Sequence, residues 1–212
     1  AAGAQPSALG AVDLNADTQL DLAVANLGAS TVSVLLGHGA GGFAAATSFA
    51  VGSGPQALAA GDLNGDSAPD LVSASSGAAG VSVLLGDGLG GFGAATPFTV
   101  GTFPRSLALG DLNADAKLDL VAANRDSNNG YVLLGNGLGG FGAAFNYRVG
   151  FAPLSVALGD VNGDSKLDLA VADRRSHGAH VEAILEAKGA RFGDVLHQLA
   201  RGDLKAICTA LG

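Results

Sequence analysis

Residues 111–119 of this 212-residue chain are DLNADAKLD, and closely similar stretches stand at intervals of 49 residues along the sequence. Each copy has aspartate at its first, fifth and ninth positions and asparagine at its third. The aspartates that open the four copies are Asp13, Asp62, Asp111 and Asp160. A strict period of this length is typical of a repeat protein, so the sequence predicts a tandem array of one supersecondary unit.

Other residue types keep the same period, which makes a chance match implausible. Prolines recur at Pro6, Pro55, Pro104 and Pro153, glycines at Gly3, Gly52, Gly101 and Gly150, and phenylalanines at Phe43, Phe92 and Phe141. Three residue types that share one period therefore define a unit that extends well beyond the acidic stretch.

The third copy shows the structure of one unit most clearly. Short apolar runs predict strands at 106–110, 118–123, 131–134 and 144–149, and the glycine-rich stretch 135–140 predicts a turn. Four antiparallel strands in about 49 residues are typical of a β-propeller blade. A β-solenoid or a β-sandwich array is the alternative, but solenoid coils are generally shorter and sandwiches rarely repeat so strictly.

The predicted fold is therefore all-β, with three complete four-stranded blades and a partial fourth. The units span about 3–51, 52–100, 101–149 and 150–178 within a repeat region at 1–178. Residues 179–212 lose the period and predict a divergent, helical tail, since apolar residues between Phe192 and Leu199 follow helical spacing. The segment 180–188 stays open between strand and helix, although its composition suits a helix.

Several small motifs in the last 40 residues have both a structural and a functional interpretation. Arg201-Gly202-Asp203 is the integrin-recognition tripeptide, but a helix start accounts for its Gly and Asp. His177 and His180 suit a polar turn better than a metal site. Cys208, the only cysteine, lies on the apolar side of a predicted helix and is interpreted as a core residue.

The acidic loops carry the predicted chemistry. Calcium takes six to eight oxygen ligands in a tolerant geometry, whereas magnesium demands a stricter octahedron. Asp and Asn also form turns, but three carboxylates crowded into each of four loops repel one another unless a cation lies among them. We therefore predict about four Ca²⁺ ions, one per loop. The predicted ligands are Asp13, Asn15, Asp17, Asp21, Asp62, Asn64, Asp66, Asp70, Asp111, Asn113, Asp115, Asp119, Asp160, Asn162, Asp164 and Asp168.

These loops differ from EF-hand loops, which need glycine at position 6 and a bidentate glutamate at position 12. Position 6 is occupied here by Thr18, Ser67, Ala116 and Ser165. The flanking segments are predicted strands instead of helices, so each loop joins two strands of one blade.

Charge and hydropathy limit the partners. The formal net charge is −8, so a nucleic-acid partner is not expected. No uninterrupted apolar stretch of about 18 residues occurs, so membrane insertion is not expected either.

The motifs together resemble the FG-GAP or VCBS repeat of integrin α-chain propellers and many bacterial surface proteins. Phe92-Gly93 and Phe141-Gly142 match its Phe-Gly element, whereas the first copy has Phe43-Ala44. Gly101-Thr102-Phe103-Pro104 stands where that family has Gly-Ala-Pro, and the acidic loops match its calcium site at every ligand position. The resemblance covers residues 3 to about 173 and implies a seven-bladed, extracellular propeller for adhesion or ligand recognition, without catalysis.

These observations predict a non-enzymatic, calcium-stabilised adhesion or self-assembly module, secreted or on the cell surface. Its partners are expected to be other protein chains, including copies of itself in an oligomer or fibre, because four units are fewer than the ring that the resemblance implies. A lectin-like propeller that binds glycans is the alternative. The low aromatic content, 5%, favours protein contacts over sugar platforms.

Overall fold

The computed structural model describes residues 3–174 and the backbone of the strand at Val181–Leu185. Within these residues all regular structure is β: fifteen strands form four antiparallel sheets, and no helix is present. The all-β prediction is therefore confirmed.

The first three sheets share one topology, in which four strands neighbour one another in sequence order. Sheet 1 contains β1 (Pro6–Val12), β2 (Asp21–Asn26), β3 (Thr31–Leu35) and β4 (Thr47–Ala50). Sheet 2 contains β5 (Pro55–Gly61), β6 (Asp70–Ser75), β7 (Gly80–Leu84) and β8 (Thr96–Thr99). Sheet 3 contains β9 (Pro104–Gly110), β10 (Asp119–Asn124), β11 (Asn129–Gly135) and β12 (Phe141–Arg148). The four strands predicted in the third copy lie within a few residues of these bounds.

Sheet 4 has three described strands, β13 (Ser155–Gly159), β14 (Asp168–Ala172) and β15 (Val181–Leu185). The open question at 180–188 is thus answered for five residues, because β15 pairs with β14 as the third strand of every other sheet pairs with its second. The fourth unit therefore continues past the predicted boundary at residue 178. The helices expected from about residue 192 lie outside the described residues.

The second strand of each sheet lies between the first and the third strand, and most of its residues are buried. Every residue of β10 is buried, with Leu120 and Ala122 in the core shared with sheet 2 and Val121 and Ala123 in the core shared with sheet 4. A strand covered on both faces is a continuous apolar run instead of an alternating one. Between Asp119 and Asn124 at its ends, β10 is such an uninterrupted apolar run.

Three apolar cores separate the four sheets, one between each pair of successive sheets. We call the face of a sheet that contacts the preceding sheet its leading face, and the opposite one its trailing face. Leading faces contribute larger side chains, such as Leu107 and Leu120 of sheet 3. Trailing faces contribute smaller ones, such as Ala57 and Ala74 of sheet 2. Large side chains packed on small ones allow the sheets to lie close together.

The repeated phenylalanines join successive sheets. Phe92 of sheet 2 meets Phe49 of sheet 1 edge to face with ring centroids 5.3 Å apart, and Phe141 of sheet 3 meets Phe98 of sheet 2 at the same distance. Such pairs stabilise by about 0.5–1.5 kcal/mol beyond their buried area. The Phe-Gly element is therefore a packing element between blades.

The first strands of the sheets pack side by side in the order β1, β5, β9, β13. Polar bonds link them, since the Ser7 hydroxyl donates to the Pro55 carbonyl at 2.6 Å and the Val156 N–H donates to the Ser106 hydroxyl at 3.2 Å. Separate antiparallel sheets joined through their first strands are the arrangement of propeller blades, which confirms the predicted architecture. A solenoid would instead form continuous parallel sheets.

Candidate metal centre

The four acidic loops occupy equivalent places in the four sheets. Loops 1 to 4 (residues 13–21, 62–70, 111–119 and 160–168) each connect the first strand of a sheet to the second. The ninth residue of every loop is also the first residue of the second strand, so the chain passes directly from the loop into the buried centre of the sheet.

The first aspartate organises each loop by accepting backbone hydrogen bonds. Asp160 accepts from Ser165 at 2.8 Å, from Gly163 at 2.7 Å and from Asp164 at 3.1 Å. These bonds, the one from Ser165 first, favour the ionised form and lower the pKa of the Asp160 carboxyl. The N–H groups of the tight loop thus converge on one carboxylate.

Backbone conformation repeats from loop to loop. The residues at positions 4 and 6 have positive φ in all four loops, for example +78° at Gly65 and +69° at Ser67 in loop 2. Loops 1 and 3 have alanine at position 4, where Ala16 adopts +59° and Ala114 adopts +62°. A non-glycine residue in this region costs about 1–2 kcal/mol, which the hydrogen bonds to the first aspartate must offset.

The fifth aspartate has an additional charged neighbour in loops 3 and 4. In loops 1 and 2 the asparagine side chain donates to it, with Asn15 Nδ2 3.0 Å from Asp17 and Asn64 Nδ2 2.8 Å from Asp66.

In loops 3 and 4 a lysine at position 7 pairs with the fifth aspartate, with Lys117 Nζ 3.3 Å from Asp115 and Lys166 Nζ 3.2 Å from Asp164. Desolvation raises the pKa of Asp115, but the backbone and ammonium bonds from Lys117 outweigh it, so the net pKa lies below the usual value. The two lysines reduce the negative charge of loops 3 and 4.

In loops 1 to 3 the ninth aspartate is buried and accepts backbone bonds with both oxygens. Asp70 accepts from the Leu63 N–H at 2.8 Å and from the Gly86 N–H, 16 residues further along the chain, also at 2.8 Å. Asp21 makes the matching pair of bonds with Leu14 and Gly37. Burial is the largest influence on Asp70 and raises the pKa of its carboxyl despite these bonds. The ninth aspartate therefore joins its loop to the turn that follows the third strand.

The predicted ligands thus divide into two groups. Positions 1, 3 and 5 lie together in the loop, whereas position 9 lies at its base with its oxygens directed at backbone N–H groups. Within residues 3–174, no three His, Cys, Asp or Glu side chains form a group that could hold a metal ion. The sixteen predicted residues are therefore neighbours, but their carboxylates do not converge on one point.

The chemistry of the donors nevertheless suits a hard cation. Each loop offers three carboxylates and one amide oxygen, which are ligands for Ca²⁺ or Mg²⁺ and poor ligands for softer metals. A carboxylate oxygen that accepts one hydrogen bond still has a second lone pair. In each loop, positions 1, 3 and 5 would hold the ion, and the ion would neutralise the repulsion between the aspartates of the loop.

Loops 1 and 2 are tied to the next sheet by contacts that the sequence did not reveal. The leucines at position 2, Leu14 and Leu63, are buried in the inter-sheet cores. Their carbonyls accept bonds from the glycine-rich turns of the following sheets, from Gly90 N–H at 3.1 Å and from Gly139 N–H at 3.0 Å. The only sequence signal for these ties is the 49-residue spacing of the leucines and glycines.

An open cleft of about 410 Å³ lies between loops 1 and 2. Asp13, Asp66 and Asp87 line it, together with small residues, so it is acidic. Asp87 belongs to the glycine-rich turn of sheet 2, where it accepts bonds from Leu89 and Gly91.

His177, His180, Cys208 and the Arg201-Gly202-Asp203 tripeptide all lie outside the described residues. In the part of the chain that the structure describes, no helix is long and apolar enough to span a membrane.

Comparison with protein families identifies the repeat. Three overlapping segments, 13–73, 62–122 and 111–171, match the FG-GAP-like repeat. No curated protein matches the chain.

Solved structures support the fold. BBS1N in complex with ARL6DN is 14% identical, with a TM-score of 0.57, and the match covers 82% of this chain and 53% of that one. A lectin from Agrocybe aegerita that recognises non-reducing terminal N-acetylglucosamine is 23% identical, with a TM-score of 0.54 and coverages of 76% and 45%. The chain therefore spans about half the length of these proteins, and at such low identity the likeness concerns the fold alone.

Proposed function

The chain belongs to the FG-GAP-like repeat family, and from this premise we propose that it is a calcium-stabilised propeller module that acts through protein–protein contacts. Its calcium ions are structural, about four per chain. It has no catalytic role and works outside the cell, secreted or at the cell surface. Its partners include other copies of the same chain.

The observation that carries the protein-contact proposal is the exposed leading face of sheet 1. Leu9 is 63% exposed, whereas its equivalents Leu58, Leu107 and Val156 pack in the three inter-sheet cores. Phe43 is 42% exposed, whereas its equivalent Phe92 pairs with a phenylalanine of the preceding sheet. Apolar side chains built for burial are thus presented to solvent, as at a protein interface.

Support for calcium comes from the charge of the loops. Three aspartates lie within nine residues in each loop, and loops 1 and 2 contain no lysine or arginine to offset them. A bound Ca²⁺ would remove this repulsion and stabilise each loop, and with it the tie from the position-2 carbonyl to the next sheet. Calcium would in this way hold the blades together, with the strongest effect in loops 1 and 2.

The extracellular and non-catalytic parts of the proposal rest on the family resemblance and on the same loops. Calcium sites of extracellular modules typically have dissociation constants of 10⁻⁴–10⁻³ M, which suits ligands already engaged in hydrogen bonds. The carboxylates in the acidic cleft also accept backbone bonds, which supports a structural role for them.

The calcium part is tested by titrating the chelated full chain with CaCl₂ in a calorimeter and by comparing its melting temperature in CaCl₂ and in EDTA. We expect about four sites, and a stabilisation of about 2.7 kcal/mol for each site at a calcium concentration 100 times the dissociation constant. Asp66→Ala should remove one site. Asp126→Ala, at an exposed aspartate outside the loops, is the matched control and should leave four. Identical melting curves with and without calcium would refute this part.

The assembly part is tested by measuring particle mass in solution across a concentration series in CaCl₂. We expect species larger than one chain, which grow with concentration. A single monomeric species at every concentration would refute it, whatever the calcium result.

A further inference from the structure

One contact recurs between successive sheets: a leucine at position 8 of an acidic loop, here called the knob, packs on a glycine at the end of the preceding sheet's first strand, here called the socket. Leu118, at position 8 of loop 3, projects onto Gly61 at the end of β5, so that a Cβ on Gly61 would lie 2.6 Å from Leu118 Cδ1. Leu167, at position 8 of loop 4, meets Gly110 in the same way and at the same 2.6 Å. A Cβ at that distance would push the end of the leucine out of its place, so the leucine packs in this position because the facing residue is glycine.

The contact between sheets 1 and 2 has a different pair at the same positions. The socket residue there is Val12 and position 8 of loop 2 is Pro69. Proline is shorter than leucine, and valine fills the space that glycine leaves open. Within this one chain, glycine thus faces leucine and valine faces proline, so the two positions are matched to each other.

Two members of this series have no partner among the described residues. Leu20, at position 8 of loop 1, is 64% exposed on the leading face of sheet 1. Gly159, at the end of β13, is the socket residue of sheet 4, and no described atom lies within 4 Å of the place where its Cβ would stand. The unpaired knob is a leucine and the unpaired socket is a glycine, which is the combination found at the two glycine sockets inside the chain.

We propose that Leu20 of one copy inserts at Gly159 of a second copy, so that the leading face of sheet 1 packs on the trailing face of sheet 4. The inference rests on the proposed self-assembly and names the surfaces that carry it. The exposed Leu9 would then cover the exposed Ala157, as their equivalents Val156 and Ala108 share a core inside the chain. The contact is head-to-tail, so it generates a closed ring or a filament, not an isologous dimer.

The test uses the full chain in CaCl₂ and two variants that each block one face. Leu20→Glu places a charge on the knob, and Gly159→Leu fills the socket, where the backbone is not in the left-handed region and space is available. Each variant alone should need a protein concentration about 10- to 100-fold higher than wild type to assemble, as expected when one leucine side chain is no longer buried. A mixture of the two should form a one-to-one dimer and nothing larger, because only one intact knob and one intact socket remain.

Two further variants keep the outcome interpretable. Leu9→Glu places a charge on the same face, in β1 instead of loop 1, and should also prevent assembly. Leu138→Glu changes a 78% exposed leucine in a glycine-rich turn and should have no effect. If Leu20→Glu and Gly159→Leu each assemble at the same concentration as wild type, the knob-and-socket contact is refuted, although self-assembly itself is not. A monomeric wild type would instead refute the proposed assembly itself.

Discussion

Replacing Asp70 with alanine removes a buried carboxylate that accepts two backbone hydrogen bonds at 2.8 Å, from Leu63 and from Gly86. A hydrogen bond to a charged group contributes about 1.5–3 kcal/mol, so the two bonds together contribute about 3–6 kcal/mol. Burial raises the pKa of Asp70, which shows that part of this gain is offset by desolvation of the carboxylate. We therefore expect Asp70→Ala to cost about 3 kcal/mol in EDTA.

Asp66→Ala is the matched variant, because it lies in the same loop but is exposed. Its two hydrogen bonds, from Ala68 and from the Asn64 side chain, compete with water. We expect it to cost less than about 1 kcal/mol in EDTA. In a chain of this size these values correspond to a fall in melting temperature of about 6–12 °C for Asp70→Ala and less than about 4 °C for Asp66→Ala.

The assay is thermal unfolding followed by circular dichroism at pH 7, with each variant in EDTA and in CaCl₂. Calcium should widen the gap between wild type and Asp66→Ala, since that variant loses a ligand only when the ion is present. Equal losses for the two variants in EDTA would refute the separate structural role of the ninth aspartate. If Asp70→Ala does not fold, Asp70→Asn should still show a larger loss than Asp66→Ala, because its amide oxygen keeps one backbone bond while its NH2 group faces the other N–H donor.

Two more predictions follow from differences between repeats. Lys117→Gln and Lys166→Gln, which copy Gln19 of loop 1, should each strengthen calcium binding by about 2- to 5-fold, because the exposed lysine–aspartate pair no longer competes with the ion. Calorimetry at low salt should show the gain, and an equal gain at 1 M salt would contradict an electrostatic cause. Gly41→Ala and Gly139→Ala both place alanine at positive φ, +75° and +79°, but only Gly139 would bring a Cβ to 2.6 Å from Leu85. Urea unfolding should therefore show a loss larger by about 1–3 kcal/mol for Gly139→Ala, and equal losses would show that the clash is relieved without cost.

Much of the fold could be predicted because the repeat displays the same information several times. One copy of an Asp- and Asn-rich stretch would be an ordinary turn, but four copies at one period identify the repeating unit and its length. The segment at 181–185 was harder, since its composition suits a helix. It forms a strand because β14 offers an open edge for pairing, a tertiary effect that local propensity does not contain.

The candidate site was predicted as a set of residues but not as an arrangement. The ninth aspartate was expected to act as the first and fifth do, yet Asp119 accepts a bond from Gly135, which lies 16 residues away in sequence. Only the paired strands bring these two residues together. The role of Lys117 was also not anticipated, because its importance depends on the distance of its ammonium group from Asp115.

The ties between blades have a consequence for how this gene region changes length. The tie uses the same pair of positions at both junctions: the Leu14 carbonyl accepts a hydrogen bond from Gly90 of the next unit, and the Leu63 carbonyl accepts one from Gly139. Unequal recombination between two units therefore removes or adds one whole blade and recreates the same tie at the new junction. Blade number can therefore change by single steps where the new junction keeps the leucine–glycine tie and also matches socket to knob, since Val12 opposite Leu118 would be a mismatch.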